Sequence, residues 1–88
     1  MMPIHKLLKE LRWDPQYASS RFTIGYEDHE RGLVRVPLER ITVLPESHFM
    51  FEVLQEDGRP SSVPLHRIRE VLRDGGPFWA RRGERGPG

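Results

Sequence analysis

Ile4, Leu7, Leu8 and Leu11 fall at i, i+3, i+4 and i+7, a single apolar stripe of an amphipathic helix. The spacing predicts a helix from Pro3 to Arg12, with Pro3 at the first helical position, where a missing N–H costs nothing. Asp14 precedes Pro15, whose ring disfavours helical dihedrals at Asp14, so the helix should stop near Trp13. Trp13 is then expected as a core or hinge aromatic. Beyond a polar linker the apolar spacing changes from helical to alternating. Phe22, Ile24 and Tyr26 alternate with Thr23, Gly25 and Glu27, the signature of a half-buried strand. Asp28 to Gly32 reads as a turn, Leu33 to Val36 as a return strand, and Leu38 to Ile41 as a helical turn. His48 to Leu54 alternates again through Phe49, Phe51 and Val53, and Glu56-Asp57-Gly58 marks a hairpin. Ser62 and Val63 start its partner strand before Pro64 interrupts it.

From Leu65 to Arg73 two patterns compete. Leu65, Ile68, Val71 and Leu72 sit at helical spacing, whereas Asp74-Gly75-Gly76 followed by Phe78-Trp79 looks like a hairpin and its return strand. A turn followed by a strand is the preferred reading, with a helix ending at Gly75 as the alternative. Residues 81–88 form an Arg/Gly-rich tail with nothing apolar to bury, expected to be flexible. No internal repeat is expected. A helix followed by five or six short strands is an α+β pattern. The expected architecture is one domain over residues 1–80, its N-terminal amphipathic helix packed on a small, strongly bent antiparallel sheet (a partial barrel).

Length and composition narrow the chemistry. Eighty-eight residues make one domain with a thin stability margin. The chain has no cysteine, which excludes disulfides, a thiolate nucleophile and a Cys-based zinc site. No segment approaches the roughly 18 apolar residues of a membrane span, and no signal peptide is evident. A cytoplasmic protein is expected. The net charge is +1, but it is unevenly spread. Residues 1–58 hold seven Lys/Arg against ten Asp/Glu, and residues 59–88 hold seven Arg against three acids. Twelve of the fourteen basic residues are arginine, whose planar fork suits phosphate, although a GC-rich coding sequence would enrich arginine too.

Catalytic signatures are lacking. The four histidines (His5, His29, His48 and His66) show no helical metal spacing, and there is no nucleophile elbow or glycine-rich phosphate loop. No metal, no cofactor and no catalytic residue is therefore assigned. Two segments instead suggest binding: Gly25-Tyr26-Glu27-Asp28-His29, and Val63-Pro64-Leu65-His66-Arg67-Ile68, with Phe78-Trp79-Ala80-Arg81 following. Arg67 and Arg81 can each grip a phosphate, and Tyr26 or Trp79 can stack on an unpaired base. Asp28 can accept from a ribose hydroxyl, or merely start a turn. His29 and His66 complete the candidate ligand-binding set, against the plainer readings of a solvated loop and a satisfied histidine.

At these residues the chain resembles the RNA cyclic group end recognition domain family. The resemblance rests on Leu8-x-x-Leu11-Arg12-Trp13-Asp14-Pro15, Gly25-Tyr26-Glu27-Asp28, Val63-Pro64-Leu65-His66-Arg67-Ile68 and Trp79-x-Arg81, in that order. It implies an RNA-binding module for RNA ends carrying a 2′,3′-cyclic phosphate, in RNA repair or processing, with any catalytic partner an enzyme supplied in trans. Two departures stand out: His29 replaces a more usual arginine, and Ala80 an acidic residue. Two other functions remain open. One is an RNA-processing phosphoesterase using His29 and His66. The other is a protein-interaction module whose arginines meet an acidic partner.

Overall fold

The computed structural model describes residues 4–44 and 49–81. Helix α1 (Ile4–Trp13) buries Ile4, Leu7, Leu8 and Leu11, the apolar stripe of the sequence. It is followed by a 3-10 turn, Pro15–Tyr17, in which Asp14 caps the Gln16 N–H. Seven strands come after it among the described residues: β1 (Phe22–Asp28), β2 (Gly32–Pro37), β3 (Ile41–Val43), β4 (Met50–Leu54), β5 (Pro60–Pro64), β6 (Ile68–Arg73) and β7 (Gly76–Ala80). They form two antiparallel sheets, β2-β1-β6-β7 and β3-β4-β5, which do not close into a barrel. The class is α+β as the pattern implies, with two sheets in place of one bent sheet. Residues 68–73 are a strand, so the helical alternative for Leu65–Arg73 is excluded. Asp74 and Gly75, both at positive φ, make the tight β6–β7 turn that a helix would lack.

The core gathers the helix stripe with Phe22, Ile24, Tyr26, Phe51, Val53, Ile68 and Val71. Two aromatics expected inside lie outside. Trp13 is 80 % exposed and Phe49 77 % exposed. Trp13 stands two residues beyond Leu11, so the helical twist carries it off the buried stripe. Phe49 precedes the first residue of β4, at a bend where strand alternation no longer fixes side-chain direction. Pro3, His48 and residues 82–88 lie outside the described residues.

The fold also contains a repeat, where the sequence pattern implies none. The hairpin β1–β2, a Pro-led 3-10 turn (Leu38–Arg40) and β3 recur as the hairpin β4–β5, a Pro-led 3-10 turn (Leu65–Arg67) and β6. Val36-Pro37-Leu38-Glu39-Arg40-Ile41 matches Val63-Pro64-Leu65-His66-Arg67-Ile68 at a constant offset, Pro37 to Pro64 and Arg40 to Arg67. The hairpin registers agree under the same offset, with Ile24 opposite Val36 and Phe51 opposite Val63. Both prolines adopt the same extended dihedrals, φ −66 and ψ 148 at Pro37 and φ −64 and ψ 138 at Pro64. In each turn the isoleucine N–H donates to the leucine carbonyl. Each unit sends its third strand to the other unit's first strand: Ile41 lies opposite Val53, and Ile68 opposite Tyr26. The two Pro-led corners thus pass the chain between sheets in opposite directions.

Candidate functional site

Two rigid corners shape the site. At the β1–β2 turn the Asp28 carboxylate accepts from the Glu30 N–H at 2.8 Å and the Arg31 N–H at 3.2 Å. This is an Asx turn, closed by Gly32 at φ +79, where a side chain would be strained. The Glu30 N–H foremost, against an opposing effect of desolvation and with help from the Arg31 backbone and guanidinium, holds the Asp28 carboxyl below its ordinary range. His29 and Glu30 are left exposed at the tip.

The second corner follows β5. Pro64 cannot donate and fixes its own φ, so the ladder ends there and the 3-10 turn begins. Leu65 is buried and its N–H donates to the Phe49 carbonyl at 2.7 Å. Residues in a 3-10 turn stand about a third of a turn apart. With Leu65 pointing inward, His66 and Arg67 must leave on different flanks. Their carbonyl neighbourhood is clamped from outside. Arg69 Nη1 donates to the His66 carbonyl at 2.8 Å, and Arg81 donates to Ile68 at 2.9 Å and to Leu65 at 3.2 Å.

Between these corners lies an open cleft of about 430 Å³. Asp28, His29, Glu30 and Arg31 form one wall, Ser61, Ser62 and Arg67 the other, and Tyr26 and Gln55 also line it. Asp28 is bound to its turn and to Arg31, whose guanidinium is 3.4 Å away. Glu27 lies 3.4 Å from Arg69. Arg67 makes no hydrogen bond or ion pair among the described residues, leaving its fork available. Ser61, Ser62 and Gln55 add uncharged donors that no motif in the sequence singles out. Their one signal is their place on the hairpin leading into the Pro64 corner.

The candidate residues are therefore only partly brought together. Tyr26, Asp28, His29 and Arg67 line one cleft. His66 and Arg81 line a separate cavity with Ile4 and Phe49, which has only Pro64 in common with the cleft. Tyr26 is 2 % exposed and its ring packs edge-on against Phe51 at 5.8 Å, so it is a floor to the cleft and offers no open face for stacking. Trp79 lines neither space. It is half-buried beneath the Arg81 guanidinium, 5.5 Å from its ring centroid, and its buried indole N–H has no partner among the described residues. Arg81, first residue of the expected tail, continues the β6–β7 ladder through its N–H to the Arg69 carbonyl at 2.9 Å. His29 and His66 line different cavities among the described residues, and neither of these holds the histidine pair that the phosphoesterase reading requires. No group of three or more potential metal ligands occurs among the described residues, and no helix among them is long and apolar enough to cross a membrane.

These features define a small α+β domain with an arginine-bearing cleft between the β1–β2 turn and the Pro64 corner. The model of the MJ1316 RNA cyclic group end recognition domain matches residues 1–81, and the chain belongs to that family. No curated protein and no solved structure gives a significant match.

Proposed function

We propose that the cleft around Arg67 binds the 2′,3′-cyclic phosphate at the end of an RNA. The observation that carries this reading is the Arg67 guanidinium, unpartnered among the described residues, in a cleft of nucleotide size that Ser61, Ser62 and Gln55 also line. The charge balance favours a cyclic end over a terminal phosphomonoester. Three carboxylates (Glu27, Asp28 and Glu30) line the cleft against two guanidiniums, Arg31 and Arg67. A cyclic phosphodiester carries one negative charge, whereas a terminal phosphomonoester carries nearly two at neutral pH. With Glu27 paired to Arg69 and Asp28 to Arg31, the cleft offers one free fork beside the exposed Glu30 carboxylate, which suits a monoanion better than a dianion. Arg67 grips the phosphate, Ser61 and Ser62 donate to it, and His29 adds an imidazole N–H. Asp28 and Arg81 hold the two walls in place. In this role the domain works in the cytoplasm in RNA repair or processing, presenting ends to an RNA-processing enzyme that acts in trans.

Fluorescence anisotropy tests this with one RNA sequence ending in a 2′,3′-cyclic phosphate, a 3′-phosphate or a 3′-hydroxyl. The cyclic end should bind most tightly. Arg67→Ala should weaken it about tenfold or more, since each charge-assisted hydrogen bond contributes about 1.5–3 kcal/mol. Arg21→Ala removes an exposed charge outside the cleft and should leave the preference intact. Equal affinity of the wild type for all three ends would refute end recognition.

A further inference from the structure

The repeat has a chemical consequence. If the two units are equivalent, the cleft around Arg67 must have a counterpart around Arg40. It does. A second cavity, of about 570 Å³, is walled by residues 34–37 with Arg40 on one side and by 54–57 on the other. Shifted by the repeat offset, those walls are residues 61–64 with Arg67, and 27–30, the walls of the first cleft. The two cavities share Tyr26, Arg31 and Gln55, so they adjoin and can serve together as one groove.

Arg40 repeats the state of Arg67 as well as its position. It makes no hydrogen bond or ion pair among the described residues. Several other arginines serve the fold itself: Arg12 donates to the Ile41 carbonyl, Arg73 to Ser20, and Arg69 and Arg81 brace the Pro64 corner. Of the four arginines lining the groove, Arg31 and Arg35 are paired, with Asp28 and Glu70, and Arg40 and Arg67 are free. Guanidiniums outnumber carboxylates in the lining of the second cavity, Arg35 among them being paired with Glu70. Arg31, Arg35 and Arg40 face Glu56 and Asp57, and Asp57 already accepts from the Arg59 N–H at 2.9 Å.

We propose that the Arg40 cavity is a second phosphate site, which holds a backbone phosphodiester upstream of the RNA end seated at Arg67. The groove would then take a strand of at least two nucleotides, with Arg31 between the two phosphates. This rests on the end-recognition reading, and the ligands are chosen to separate the two. Binding of a nucleoside 2′,3′-cyclic monophosphate, which has no upstream phosphate, is compared with that of a trinucleotide bearing the same end. The proteins are wild type, Arg40→Ala, Arg67→Ala and Arg21→Ala.

The wild type should bind the trinucleotide more tightly. Arg40→Ala should remove most of that advantage, about tenfold, and lower the salt slope for the trinucleotide by about one. It should leave the mononucleotide unchanged. Arg67→Ala should weaken both ligands, and Arg21→Ala neither by more than a small, uniform factor. Arg40 makes no polar contact among the described residues, so a thermal midpoint matching the wild type confirms that the variant is intact. If Arg40→Ala leaves the trinucleotide unaffected, or weakens both ligands alike, the second site is refuted while the first stands. If Arg67→Ala weakens neither ligand, the end-recognition reading fails and the second site falls with it.

Discussion

Gly25 lies in β1 between Arg35 on one neighbouring strand and Glu70 on the other. A Cβ at Gly25 would sit 2.6 Å from Glu70 Cγ and 2.7 Å from its Oε2, well inside contact distance. The Glu70 carboxylate cannot simply swing aside, because it accepts from Arg35 Nε at 2.6 Å. Gly25→Ala thus sets two effects against each other. Overpacking typically costs about 1–3 kcal/mol, at the lower end here because the obstructing atoms belong to a long, partly exposed side chain. Replacing glycine gains about 0.5–1 kcal/mol by restricting the unfolded chain. The net expectation is a loss of roughly 0.5–1 kcal/mol, a drop in midpoint of a few degrees for a domain this small. In a Glu70→Ala background the obstruction is gone while the entropic gain remains, so Gly25→Ala should become neutral or slightly stabilising. Urea denaturation of the four proteins closes the cycle. If Gly25→Ala costs the same in both backgrounds, Glu70 is not what forbids a side chain there.

Other parts of the fold can be tested as directly. Leu8, fully buried in the helix–sheet core, should lose about 2–5 kcal/mol on truncation to alanine, enough to leave much of the domain unfolded at 37 °C by circular dichroism. Asp28 has a folded pKa held below its unfolded value, so its contribution is present above the ordinary carboxylate range and lost as pH falls through the lowered value. The stability difference between wild type and Asp28→Asn should accordingly be constant near neutrality and shrink below about pH 4, measured by urea midpoints across pH. Arg81→Ala should cost about 2 kcal/mol by freeing the Leu65 and Ile68 carbonyls, and Arg81→Lys should recover only part of it, since an ammonium does not span both.

Much of this fold is legible in local pattern. The Leu7, Leu8 and Leu11 stripe and the Phe22, Ile24 and Tyr26 alternation each name a buried face from spacing alone. Expectation and fold part company where local pattern stops carrying information. Phe49 shares the parity of Phe51 and Val53, but parity has no force outside the ladder. The motif around Tyr26 points to a ligand-facing role, whereas the residue's own alternation places it with Ile24 in the core, and burial decides for the core. His66 and Arg67 are adjacent in sequence, and only the tight turn after a buried Leu65 separates their directions. Arg40 does not stand out in the sequence because Val-Pro-Leu-x-Arg-Ile is a short match inside strands whose remaining residues differ. The repeat becomes plain once register and turn geometry coincide.

The exchange of third strands between the two units has a consequence for how the domain comes apart. A unit left to itself would keep its hairpin but lose the strand that the other unit lends to the hairpin's outer edge, exposing an unpaired edge and half of the shared core. Neither half is a smaller version of the whole. Melting cannot proceed one unit at a time, and the chain must close contacts between residues far apart in sequence before either sheet is complete. The expected behaviour is a single sharp unfolding transition with slow refolding, in which both arginine cavities appear and vanish together.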